Sequence, residues 1–285
     1  MAEAVQTIPR VFLGEALRQL RADSKKTLDD AAKAAGKDRA RLIKVLDGKA
    51  TLSGDELDAL VDFLGAPATR RTEILALGVE ARKKPTGSPY MDLVEGSFRR
   101  IAWLESMAKD IWTYEKGIYP YLIQSPEYVE ALMCTGEGIW WEQSEGDARA
   151  NRVAFRLERQ RLVFEAPEPK QVEVMFTDDT VVAQVGGPEV MRKQREHVLS
   201  VIDRYHNVVV RVVPAAAGDN PAQQGGLSML RFGDLLRPVG LLPVVYGPST
   251  YFDKVADTER IMRAFNKLRE LALSPEQTRR FLQDK

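Results

Sequence analysis

The stretch Thr27–Gly48, TLDDAAKAAGKDRARLIKVLDG, decides how the front of this chain folds. Thr27 is an N-cap, with Asp30 three residues on as its capping partner. The helix it starts is short and stops at Gly36, a residue that tolerates positive φ. Asp38 caps a second helix, which buries Leu42, Val45 and Leu46 and ends at Gly48. Two helices joined in this way need a small residue where they touch, a glycine in the turn and apolar anchors on the second helix. Ala32 is the small residue, Gly36 follows four positions later, and Leu42 and Val45 lie six and nine beyond the glycine. That is the spacing of a helix-turn-helix.

The flanks extend the pattern. Leu13, Ala16, Leu17 and Leu20 recur at helical spacing, so residues 10–21 form an amphipathic helix. Ser53 and Glu56 make a capping box for a fourth helix with Leu57, Leu60, Val61 and Leu64 inward. Residues 68–82 continue helically before Lys83-Lys84-Pro85-Thr86-Gly87-Ser88-Pro89, a linker by composition. The expected organisation is a mainly α, five-helix, phage-repressor-like domain over 1–84, a linker over 85–90, and a second domain over 91–285.

On this register Arg39, Ala40, Ile43 and Lys44 project from the second helix of the motif toward a major groove. Arg39 is placed to donate a fork to guanine and Ile43 to meet a thymine methyl. Arg41 and Lys49 are better placed for phosphate. Asp29 and Asp30 stand at the start of the preceding helix, where its dipole would ordinarily attract a phosphate, and Asp47 adds a further negative charge. The opposite reading therefore stays open. In it the module is a degenerate helix-turn-helix kept for protein–protein contact, and its basic residues only solvate a helix.

Composition bounds the rest. Lys+Arg and Asp+Glu both number 41 in 285 residues, so any attraction to nucleic acid must be local. Residues 1–84 hold 8 Lys and 8 Arg against 8 Asp and 5 Glu, a net of +3. The single cysteine, Cys134, fits a reducing compartment. No signal peptide opens the chain and no apolar stretch approaches the roughly 18–20 residues that span a bilayer. A cytoplasmic protein without a membrane partner is expected.

Behind the linker, residues 90–166 read as helical, with Leu93, Val94, Phe98, Ile101, Leu104, Met107 and Ile111 at helical spacing. Ser125 and Pro126 start a helix, and a long charged helix spans about 145–164. Trp103, Trp112, Trp140, Trp141, Tyr114, Tyr119 and Tyr121 concentrate here and either line an effector pocket or fill a core. From Val172 the period becomes 2, giving strands at Val172–Phe176, Val208–Val213, Leu227–Phe232 and Leu241–Tyr246. A helix from Pro188 falls between the first two, and a long helix followed by a last short helix, started by a Ser274-Pro275-Glu276-Gln277 capping box, closes the chain. The expectation is an α+β domain with a small sheet. Ala215–Gly226 reads as a mobile surface loop, a candidate lid or partner contact. Gly186-Gly187-Pro188 lacks the further glycines and the lysine of a phosphate loop. His197 and His206 have no zinc spacing around them, no nucleophile elbow is present, and a turn explains Asp178-Asp179. No enzyme, catalytic residue, metal or cofactor is expected.

With these segments in view the chain resembles the actinobacterial regulators that join an XRE-type helix-turn-helix to a C-terminal domain of the Scr1 type, also catalogued as DUF5753. The resemblance is carried by Trp112-Thr113-Tyr114-Glu115, Tyr119–Tyr128, Arg156–Gln160, Val185–Met191 and Leu271–Glu276. It implies a DNA-binding transcriptional regulator, antitoxin-like, whose C-terminal domain receives a protein or small-molecule signal. Its implied partners are double-stranded DNA and a small DUF397-type protein, and a homodimer is expected because phage-repressor-like readers pair two half-sites about one helical turn apart. Carried over by position, Thr27 and the segment Arg39–Lys44 would face DNA. The chain departs from the family pattern at Leu28, where a Gln is usual, at Ala31 and Ala35, where larger apolar residues are usual, and at Leu46, where a Glu is usual.

Overall fold

The computed structural model describes residues 6–84, 89–140, 147–234, 236–243 and 249–285. It divides into two compact units, Met1–Arg100 and Ile101–Lys285. Residues 85–88 of the expected linker lie outside the described residues. Residues 89–100 belong with the first unit, although the second domain was expected to begin at 91.

The first unit holds five helices, α1 (Ile8–Ser24), α2 (Leu28–Ala34), α3 (Arg39–Leu46), α4 (Gly54–Phe63) and α5 (Ala68–Arg82). Their ends obey local chemistry. The Thr27 hydroxyl accepts from the Asp30 N–H at 3.1 Å, and the Asp38 carboxylate accepts from the Arg41 N–H at 2.7 Å. Ser53 and Glu56 form the reciprocal capping box. Gly36 turns the chain at φ 62°, with Lys37 N–H donating to Ala32 O at 2.9 Å. Leu13, Leu17, Leu20, Ala31, Ala32, Ala35, Leu42, Val45, Leu57, Leu60 and Val61 are buried together as the core. The smaller Ala31 and Ala35 are fully enclosed, because the helices close on them.

After α5 a two-residue strand, β1 (Tyr90–Met91), leads to α6 (Ser97–Met107), and the division between the units falls inside α6. Arg100 explains why residues 89–100 join the first unit. Its guanidinium donates to both Asp92 oxygens at 2.8 and 2.7 Å, to Glu73 of α5 at 2.8 Å, and to the Val94 and Glu95 carbonyls. It also lies over the Phe12 ring, 5.5 Å from its centroid. A buried charge satisfied on this many sides ties its segment down.

The second unit is α+β, as expected. Its strands are β2 (Asp110–Glu115), β3 (Gln171–Thr177), β4 (Val208–Val213), β5 (Leu227–Arg231), β6 (Val239–Leu242) and β7 (Thr250–Phe252). They lie in the order β7-β6-β5-β2-β3-β4. β2, β3 and β4 are parallel, whereas β5, β6 and β7 join antiparallel on the other side of β2. Between the parallel strands come α7 (Pro126–Gly136), α8 (Asp147–Phe164), the short α9 (Asp179–Val182) and α10 (Pro188–Arg204). The chain ends in α11 (Val255–Leu271) and α12 (Pro275–Gln283).

One sequence reading is corrected here. Residues 110–115 are a strand, although the helical spacing through Ile111 had placed them in a helix. β2 lies between β3 and β5, so pairing on both edges overrides the local period. Ala215–Gly226 is a surface loop held by hydrogen bonds and an ion pair. Buried Asn220 donates to the Tyr114 hydroxyl at 2.8 Å, Gln223 donates to Ala217 O at 2.7 Å, and Lys267 pairs with Asp219. The expected strand over Leu241–Tyr246 runs as Val239–Leu242, and residues 244–246 lie outside the described residues. Of the aromatic residues, Tyr114 and Tyr119 are fully buried, and Tyr114 packs with Met175, Val213, Met229 and Phe265. Trp141 lies outside the described residues.

Candidate nucleic-acid interface

The outward side of α3 is set by what its inward side must do. Leu42, Val45 and Leu46 are buried, which leaves Arg39, Ala40, Arg41, Ile43 and Lys44 exposed. Ile43 is 38% exposed, a large apolar side chain set among charged ones. α3 approaches α1 so closely that a Cβ on Gly14 would stand 2.1 Å from the Leu46 carbonyl oxygen. The exposed face is therefore carried on a rigid support.

Neighbouring charges decide what that face presents. Arg39 Nη1 donates to both oxygens of Asp29, at 3.2 and 3.4 Å. Asp47 is paired with Arg18 of α1, and its carbonyl accepts from Gln6 at 2.8 Å. Lys37 donates to Glu56 at 2.5 Å, and that hydrogen bond is the leading cause holding the Glu56 carboxyl below its ordinary range. Arg41 reaches the Thr51 carbonyl at 3.4 Å. Lys33, Lys44 and Lys49 make no ion pair among the described residues and are exposed. Two of the three carboxylates expected to repel a phosphate, Asp29 and Asp47, are thus neutralised by arginines. The third, Asp30, accepts a hydrogen bond from the Thr27 hydroxyl at 2.7 Å.

The structure brings Arg39, Ala40, Arg41, Ile43 and Lys44 onto one short helix and puts Lys49 just beyond its end. Thr27 differs. Its hydroxyl accepts from one group and donates to another within its own cap, so contact with a duplex would have to displace the Asp30 bond. The pairing of Arg39 with Asp29 was missed by sequence reasoning. Its signal was present: an arginine opening one helix and an aspartate in the first turn of the helix before it.

The second unit offers a cleft of about 280 Å³ between α8 and α10. Leu157, Gln160, Arg161 and Phe164 face His197, Ser200, Val201 and Arg204 across it. Phe164 and Tyr205 stack at one end with ring centroids 4.9 Å apart. Burial holds His197 below its ordinary pKa, so it is neutral near pH 7. Gln160 donates to the carbonyls of Tyr121 and Gln124.

Comparison with known proteins gives two matches. A family model described as a helix-turn-helix domain matches residues 13–74, and one described as a domain of unknown function, DUF5753, matches residues 98–284. No curated protein and no solved structure matches the chain.

Proposed function

The chain belongs to the DUF5753 family and carries a helix-turn-helix domain in front of that region, and from this premise we propose that it is a DNA-binding transcriptional regulator. The observation that carries the reading is the exposed face of α3, where Arg39, Ile43 and Lys44 stand clear of the core. In a helix-turn-helix that face enters the major groove while neighbouring basic residues meet phosphate. Arg41 and Lys49 take the phosphate role. Thr27 lies at the adjoining end of α2. Two half-sites about one helical turn apart call for a homodimer.

The C-terminal α+β unit is proposed to receive the signal, from a small molecule or from a small DUF397-type partner in an antitoxin-like arrangement. The α8–α10 cleft supports a small-molecule route through its half-buried His197 and its stacked rings. We assign the chain no catalysis and no cofactor. Among the described residues no group of three or more His, Cys, Asp or Glu could hold a metal, and no helix is long and apolar enough to cross a membrane. A cytoplasmic location belongs to the same proposal.

The test is a gel shift of the full chain against the DNA upstream of its own gene. Binding is expected to fall steeply with salt as counterions are released. Arg39→Ala with Lys44→Ala should weaken it roughly tenfold or more, the scale of losing a base contact. Unchanged binding in the double variant would remove α3 from the interface. The rival reading, a protein-contact module that no longer reads DNA, is favoured by one observation: Arg39 is already held by Asp29. It predicts no shifted band at any salt concentration.

A further inference from the structure

We propose that Asp29 sets the sequence preference of this module, holding Arg39 so that its remaining donors read a guanine and keeping the module off duplexes that lack one. The inference rests on the DNA-reading role above and names its target.

Arg39 is the first residue of α3, and helical side chains lean toward the N-terminus of their helix. The guanidinium therefore leans out of α3 toward the first turn of α2, where Asp29 is the second residue behind the Thr27 cap. A carboxylate is favoured at that position by the helix dipole. Asp29 engages Nη1 alone. Nη2 and Nε have no partner among the described residues, and a guanidinium presents its donors as a flat fork. Guanine offers O6 and N7 side by side in the major groove, which is the acceptor pair such an edge fits. Ala40 follows and gives the backbone room to approach. An arginine without Asp29 would sample many rotamers and meet phosphates as readily as bases.

The same carboxylate discriminates a second way. Its charge cancels the attraction that Arg39 would otherwise exert on the phosphates of any sequence, while only a guanine within reach of Arg39 compensates. Specificity built by penalising wrong partners costs affinity. Removing the carboxylate should then tighten non-specific binding while loosening the base preference, two changes of opposite sign that loss of a structural contact does not produce.

The experiment selects duplexes from a random library with the full chain, then measures affinities by fluorescence anisotropy at two salt concentrations. Wild type is expected to fix a guanine at one position per half-site, and Arg39→Ala to lose it. Asp29→Asn should relax that position by about tenfold and bind a random duplex several-fold more tightly, with an unchanged melting curve. Asp29→Glu should restore the preference. The inference is overturned if Asp29→Asn keeps the full guanine preference, or if it weakens binding to every duplex alike. Wild-type binding to duplexes without base preference would sink this inference and leave the DNA-binding proposal standing. No binding to any duplex at low salt would sink that proposal and this inference together.

Discussion

Gly14 shows how one residue can hold a functional face in place. It sits where α1 meets the end of α3, with Leu46 O, Leu46 C and Val45 O all within 3 Å of where a Cβ would be. Those neighbours are backbone and cannot swing aside. Gly14→Ala is expected to destabilise the first unit by about 2 kcal/mol, the scale of overpacking a filled core, measured by urea denaturation. The sequence gives no warning of this. Gly14 lies inside an amphipathic run in which a glycine reads only as a weak helix former. The Asp29–Arg39 pair is a similar case. Both residues were singled out separately, and their meeting depends on how α2 and α3 cross.

At the scale of elements, caps are the most legible features because they are made within four residues. Thr27, Asp38, Ser53, Ser125 and Ser274 each cap the helix their sequence announces. Ser53→Ala breaks the box that opens α4 and should cost about 1 kcal/mol. Thermal melting checks it, and an unchanged melting temperature would mean that tertiary packing alone holds that end. Strand β2 was not legible. Ile111 falls in step with Ile101, Leu104 and Met107, and nothing local separates it from the helix before it. Its pairing residues lie near 171 and 231, too distant for any local pattern to register. Gln194 is instructive as well. It falls on the buried side of α10, where its side chain accepts from the Ser125 N–H at 2.7 Å and donates to Ile123 O at 2.6 Å. A polar residue on an apolar stripe marked a tertiary bond that spacing could not identify.

Across the whole molecule each unit holds an acidic side chain whose charge state its surroundings set. In the first, Arg100 neutralises Asp92, whose side chain is wholly enclosed, together with Glu73. Arg100→Met would leave a buried carboxylate without its partner and should cost about 3–5 kcal/mol. Chemical denaturation should show it as loss of the first unit's transition. In the second unit, Glu115 ends β2 against Gly226, and burial raises its carboxyl to about 7, with Arg156 opposing. The folded state then holds a proton that the unfolded chain, with an ordinary carboxyl, releases. Stability from this group is greatest at low pH and is lost as pH rises through the folded value. Glu115→Gln should match wild type near pH 4 and exceed it near pH 8. Parallel stability curves for the two proteins would contradict the shift.

Sequence alone determined the order of the front helices, their caps, the glycine turn and the outward face of α3, because each follows from interactions a few residues apart. It also determined the two-part organisation and most of the strands behind it. The tertiary structure decided where the first unit ends, that residues 110–115 are a strand, that Ala215–Gly226 is anchored, and that Arg39 meets Asp29. Those outcomes depend on groups brought together from distant positions, and the pairing energy they share exists only once the chain has closed around them.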